Sequence, residues 1–155
     1  MANQDPQPEI YTTRHAFTGA TAAGTTNTVT VYTNQANNEE VRLYALAVRI
    51  LNAAGDNVTT ETDFALSIQV GPNNVPSNQF DIGWLAANIA NGGQVMAFST
   101  PVLCLFQQPL GVIVQVKTAT TLTRTVVVDL IGELAIQKVL SGNFAMHPYN
   151  DQNPI

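Results

Sequence analysis

Residues 110–140 constrain this chain more than any other stretch, because they carry its longest alternation of apolar and polar side chains. Leu110, Val112, Val114 and Val116 fall on one face, with Gln115 and Lys117 on the other. In a second run Leu122, Val126, Val128, Leu130, Leu134 and Ile136 share a face, opposed by Thr123, Thr125, Asp129, Glu133 and Gln137. A period of two, rich in β-branched residues, is the pattern of strands with one face buried. The polar segment 118–121 is short enough to close an antiparallel hairpin, so the two runs are expected to pair and to gather the other strands. The spacing of Leu130, Leu134 and Lys138 also permits a helix over 129–140. Gly132 and the preceding three valines make a strand the better reading.

A chain of 155 residues is most simply one domain, and at this size it can bury roughly 70% of its unfolded surface. Only 11% of its residues are charged, against about 25% in an average globular protein. Its polar surface must therefore come from Thr, Asn, Gln and Ser, which dry more readily than Lys and Glu when another surface approaches. Such a surface resembles an interface, although a secreted β-protein can share the composition. The net charge is −5, and the six cations, Arg14, Arg42, Arg49, Lys117, Arg124 and Lys138, form no run. Binding to nucleic-acid phosphates or to anionic membrane needs clustered cations, so neither is an expected partner. Cys104 is the single cysteine, which excludes an intrachain disulfide. Its apolar neighbours predict an inert buried thiol. The first nine residues have neither the basic nor the apolar region of a signal peptide, and no apolar run reaches the roughly 18 residues of a membrane span. Synthesis in the cytosol, without glycosylation at the Asn57-Val58-Thr59 sequon, is the expectation.

Along the chain, residues 1–24 combine Pro6, Pro8, Gly19 and Gly24 with no sustained periodicity, and read as an extended arm with at most a short strand over 10–13. Residues 25–34 predict a strand with Val29 and Val31 on one side and Thr28, Thr30 and Tyr32 on the other. Residues 39–53 are apolar on both faces, as expected of a central strand or one bending between sheets; helix is its rival. Within that stretch Arg49 requires a carboxylate partner, Asp63 or Asp129. Phe64, Leu66, Ile68 and Val70 alternate with smaller or polar residues and predict a half-buried strand. Residues 71–79 (GPNNVPSNQ) read as a loop. Asp81 could cap a short helix carrying Ile82, Leu85 and Ile89, with Gly92 and Gly93 as its stop and Trp84 beside it. Residues 94–99 and 101–106 predict two short strands or one broken strand. Residues 141–155 form a second Pro-, Asn- and Gly-rich arm. With no internal repeat, the expected architecture is mainly β: an antiparallel sandwich or jelly roll over 25–140, flanked by two arms. Terminal segments of this composition are ordered when a neighbouring molecule holds them.

Catalytic equipment is sparse. His15 and His147 are the two histidines, and both fall in the expected arms, where no rigid scaffold would pose a nucleophile and base. Ser67, Ser77, Ser99 and Ser141 lie in no Gly-x-Ser-x-Gly context. Asp56, Glu61 and Asp63, with Asn57 and Thr59, could offer oxygen ligands to calcium, but the EF-hand spacing is absent and a solvated turn is the better reading. Asp129 and Glu133, four residues apart on a strand and hence separated by about 13 Å, do not fit a glycosidase pair. Gly92-Gly93 lacks the Lys and Ser/Thr of a phosphate loop. Trp84, Tyr11, Tyr32, Tyr44 and Tyr149 could stack on sugars, though packing is the simpler role. The sequence therefore assigns no catalytic, cofactor-binding or metal-binding residue.

Taken together, the start MANQDPQPEIYTTRHAF, the Thr/Asn-rich segments TTNTVTVYTN and TTLTRTVVVDL, the stretch GPNNVPSNQF and the end SGNFAMHPYNDQNPI resemble small virion proteins of tailed bacteriophages, of the capsid decoration (cement) or head-fibre type. The resemblance spans the chain and lies in overall style, so it transfers no functional residue. It implies a non-enzymatic β-sandwich on the capsid exterior, commonly oligomeric, whose partners are copies of itself and neighbouring capsid subunits. Such a protein would hold on through its arms by β-augmentation and apolar anchors. Ile10, Tyr11 and Phe17 at one end and Phe144, Met146 and Tyr149 at the other are the expected anchors. A carbohydrate- or host-recognition module using loops 71–79 and 88–94 with Trp84, or another virion subunit such as a major capsid or tail-tube component, is the alternative.

Overall fold

The computed structural model describes residues 6–33, 35, 38–58, 63–82 and 95–136. They form eight strands: β1 (Gln7–Phe17), β2 (Thr26–Thr33), β3 (Glu39–Leu51), β4 (Phe64–Val70), β5 (Asn73–Asp81), β6 (Val95–Cys104), β7 (Pro109–Val116) and β8 (Arg124–Ile136). One sheet has the order β1-β8-β3-β6 and the other β2-β7-β4-β5, with every pairing antiparallel. The fold is the expected β-sandwich, and the described residues include no helix. Asp81, expected to cap a helix, ends β5; positions 83–94 of that expected element lie outside the described residues.

The organising stretch forms two strands, as its alternation requires, but they do not pair with each other. β7 lies between β2 and β4 in one sheet, while β8 lies between β1 and β3 in the other. The polar link between them is an arch across the sandwich, where a hairpin was expected. Both strands present an apolar face, and facing sheets about 10 Å apart satisfy both faces at once. Val112, Val114 and Val116 thus meet the same core as Val126, Val128 and Leu130, and all six are fully buried. Leu122, placed by parity on the buried face, sits in the arch and is 54% exposed.

The N-terminal arm is also corrected. Residues 7–17 are a sheet strand, paired with β8 from Gln7↔Leu134 to Phe17↔Arg124. Its inward side chains, Tyr11, Thr13, His15 and Phe17, alternate with exposed Thr12, Arg14 and Ala16. That alternation was present in the sequence, but Thr and His at inward positions disguised it. The C-terminal arm, 141–155, lies outside the described residues. Residues 73–79 likewise belong to a strand where the whole of 71–79 was expected to be a loop. Gly71, at φ +58°, turns β4 into β5, and Val70 pairs with Asn73. Positive φ at the first of two turn residues is where such a hairpin favours glycine. Pro76 is tolerated because β5 is an edge strand.

Two bulges explain why the pattern is hard to read by parity. In β3 the register slips between Leu43 and Ala45, so the fully buried residues are Val41 and Leu43 before the slip and Leu46, Val48 and Ile50 after it. A strand apolar on both faces by parity is in fact one inward face whose phase changes at Tyr44. In β2 the slip falls between Thr30 and Tyr32. Each bulge faces a glycine on the next strand. A Cβ on Gly132 would overlap the carbonyl oxygen of Arg42, and one on Gly111 would lie 2.8 Å from the carbonyl oxygen of Val29. Those glycines let the bulged backbones approach. At one end the core is closed by Phe17 on Phe64, with ring centroids 5.5 Å apart.

Candidate interaction surfaces

The strand orders create two unlike sides. On one side β1 and β2 meet as the adjoining edges of the two sheets. Tyr11 packs on Tyr32 there, with centroids 5.5 Å apart, and burial first, then Glu9, pushes the Tyr11 phenol up to about 12. Further along the seam His15 is fully buried. Its Nδ1 lies 3.1 Å from both the carbonyl oxygen and the side-chain oxygen of Asn27 on β2, and its Nε2 lies 2.9 Å from the Thr13 hydroxyl. With both ring nitrogens engaged and the ring sealed from solvent, His15 is not placed to meet a substrate. His147 lies outside the described residues.

On the other side, edges β5 and β6 stand apart around an apolar cleft of roughly 710 Å³, walled by Ile68, Val75 and Phe80 from one sheet and Met96, Phe98 and Val102 from the other. Both edges carry wide irregularities that shape it. Residues 76–79 bow out of β5 opposite Ser67, and residues 98–101 bow out of β6 opposite Tyr44. A second recess of roughly 430 Å³ continues past Val75 and Val102 to Leu103 and Leu105. Leu103, Leu105 and Phe106 are each more than two-fifths exposed. Among the described residues, the one titratable group lining the larger cleft is Asp81, 2.6 Å from the Lys117 ammonium. Such a lining suits apolar groups, and among the described residues it holds no paired acid and base.

The outer face of the β1-β8-β3-β6 sheet carries a polar ladder. Asp129 accepts a 2.6 Å hydrogen bond from Thr12 and lies 3.6 Å from the Arg49 guanidinium. Of the two expected partners of Arg49, the fold selects Asp129. Glu133 accepts a 2.6 Å hydrogen bond from Tyr44 and lies 3.5 Å from Arg42, which also pairs with Glu40. Both carboxylates considered as a glycosidase pair are thus tied to cross-strand partners. Ile10 projects on this face and is 64% exposed.

The expected anchors therefore separate. Ile10 is exposed, Tyr11 is half-buried against Tyr32, and Phe17 is a core residue of its own chain. The Phe17 ring is engaged with Phe64 inside its own sandwich, not presented to a partner in this structure. Phe144, Met146 and Tyr149 lie outside the described residues, as do Trp84 and Glu61. Cys104 is buried, and burial pushes its thiol up to about 11. Among the described residues no group of three or more His, Cys, Asp or Glu side chains is placed to hold a metal ion. No described helix is long and apolar enough to cross a membrane. Sequence reasoning missed the cleft: Val75 lay in the stretch 71–79 read as loop, Phe80 was assigned to no element, and nothing local signals that β5 and β6 end as facing edges.

No known protein family matches the chain, and no curated protein does. Among solved structures it is similar to a chain in the structure of infectious bursal disease virus Gx strain, at 12% identity and a TM-score of 0.34, covering 88% of this chain and 34% of that one. This chain thus spans about a third of that chain's length. It is also similar to a chain from Bacillus endospore appendages, described as a novel family of disulfide-linked pili, at 14% identity and a TM-score of 0.27, covering 87% and 96%. A third likeness is to dimeric latent PorU from Porphyromonas gingivalis, at 11% identity and a TM-score of 0.29, covering 80% and 13%. Likenesses of this depth carry no argument about function.

Proposed function

We propose that this chain is a non-enzymatic structural protein of a virion, decorating or cementing the outside of a phage capsid as copies of itself seated on neighbouring capsid subunits. The observation that carries the reading is the apolar side of the sandwich, where Val75 lines the cleft, Leu103 and Leu105 line the recess that continues it, and Phe106 is exposed next to Leu105, on a protein with only 11% charged residues. A surface this easily dried favours burial against another protein, at about 25 cal/mol per Å² of apolar area less the cost of ordering both partners. Repetition on a lattice converts modest single contacts into firm attachment. Ile10 on the outer sheet face, together with Phe144, Met146 and Tyr149 beyond β8, are the proposed further anchors. Neither nucleic acid nor membrane enters the reading.

The test is the mass of the purified protein in solution, alone and after incubation with phage particles, by light scattering and co-sedimentation. Self-association or particle binding that is lost in a Leu105→Ser, Phe106→Ser double variant is expected. A parent protein that stays monomeric and leaves every particle bare would overturn the proposal.

A further inference from the structure

We propose that His15 is an acid-sensitive clasp between the two sheets, and that protonating its ring opens the seam where β1 meets β2. The argument rests on what surrounds the ring. Asn27 presents its main-chain carbonyl to Nδ1 at 3.1 Å, and a carbonyl only accepts, so Nδ1 carries the hydrogen. Nε2 is then the acceptor, and the Thr13 hydroxyl, 2.9 Å away, donates to it. Both bonds suit a neutral ring. The bonds to Asn27 run from one sheet to the other, since among the described strands β1 pairs with β8 and β2 with β7.

A second proton must go on Nε2. The Nε2–H would then donate to the Thr13 oxygen, and the Thr13 hydroxyl hydrogen would have to turn to the carbonyl oxygen of Val128, 3.4 Å distant, a longer bond than the one it donated to the ring. Among the described residues, no carboxylate faces the ring to compensate. In the inward register β1 offers Glu9 and Tyr11, both beyond Thr13; β2 offers Tyr32, at its far end; β8 offers Arg124, a cation; and β7 has no titratable residue before Lys117. Burial holds the ring below the ordinary 6.5, while the bonds to Asn27 oppose that shift in part. The sign follows directly. The folded state prefers the neutral ring, so the seam is whole above about pH 6.5 and weakens as the pH falls below that value.

The experiment is amide hydrogen exchange between pH 7.5 and 5, corrected for intrinsic rates, with the His15 ring followed by NMR. An opening linked to one proton changes by up to about tenfold per pH unit. That acceleration is expected in the amides of β2, in those of β7 that bond to β2, and in the second half of β1, with those of β4 and β5 unchanged. His15→Gln can still donate to Asn27 and accept from Thr13, and should flatten the dependence; His147→Gln should preserve it. If His15→Gln fails to fold, Asn27→Asp decides, because a carboxylate beside the ring would favour the imidazolium and weaken or reverse the effect. Seam amides indifferent to pH in the parent, or an effect that survives both seam variants, or one abolished by His147→Gln, would each overturn the proposal.

Discussion

Replacing Gly132 with alanine tests the account of the central sheet more sharply than any core truncation. Gly132 faces the β3 bulge, and its added methyl would overlap the Arg42 carbonyl oxygen and approach the Leu43 Cα to 2.9 Å. Both obstacles are backbone in a strand paired on its two sides, so no rotamer change relieves them. Overpacking of this kind costs about 1–3 kcal/mol. Separating β8 from β3 to make room weakens one or two ladder hydrogen bonds, at roughly 1 kcal/mol each. Against this, alanine in a strand recovers about 0.5–1 kcal/mol of backbone entropy. The net expectation is a loss of about 1–4 kcal/mol. Gly111→Ala meets the Val29 carbonyl oxygen at 2.8 Å and the Thr30 Cα at 3.3 Å, a milder overlap, and should cost less. Urea denaturation gives both values, with a fall in midpoint at unchanged slope expected for each. A Gly132→Ala protein within about 0.5 kcal/mol of the parent, inside the usual range for inconsequential surface changes, would refute the reasoning, as would one more stable than Gly111→Ala.

Other expectations follow from the same structure. Deleting residues 1–17 should abolish folding instead of releasing a folded body, because Thr13, His15 and Phe17 are buried; retention of a cooperative melt would contradict that. Ser67→Ala should be neutral or stabilise by up to about 1 kcal/mol, since the buried Ser67 hydroxyl has no partner among the described residues; a clear loss in chemical denaturation would reveal a bond unaccounted for. Tyr11, raised to about 12 by burial and Glu9, should be slow to ionise in a spectrophotometric titration of parent against Tyr11→Phe. Because the fold favours its neutral phenol, its contribution to stability is present below about pH 10 and declines as the pH rises from there toward 12. The Cys104 thiol, buried and raised to about 11, should react with a thiol reagent only at the rate of unfolding; rapid modification of the native protein would place it nearer the surface.

Much of the fold was legible in the chain. The β4 run from Phe64 to Val70, the β7 valines and the buried set Val126, Val128 and Leu130 could be assigned from period-two spacing alone, as could the buried state of Cys104 and the need of Arg49 for a carboxylate. Alternation records which side chains must leave water, and that is a local demand. It does not record what they will meet. A hairpin and an arch bury the same faces of β7 and β8, and only competition with β1, β2, β3 and β4 for their edges decides between them. β1 was obscured because its inward positions hold Thr13 and His15, polar groups buried at no penalty only when Asn27 and Val128 supply partners from distant parts of the chain. The cleft was illegible for the same reason, being the space between two edges that lie in different sheets. Composition and spacing thus determined by themselves that this protein is a β-sandwich with a weakly charged surface. Which strands pair, where the inward phase slips and which apolar residues remain outside were settled by non-local contacts, because a backbone hydrogen bond is indifferent to the sequence position of its partner.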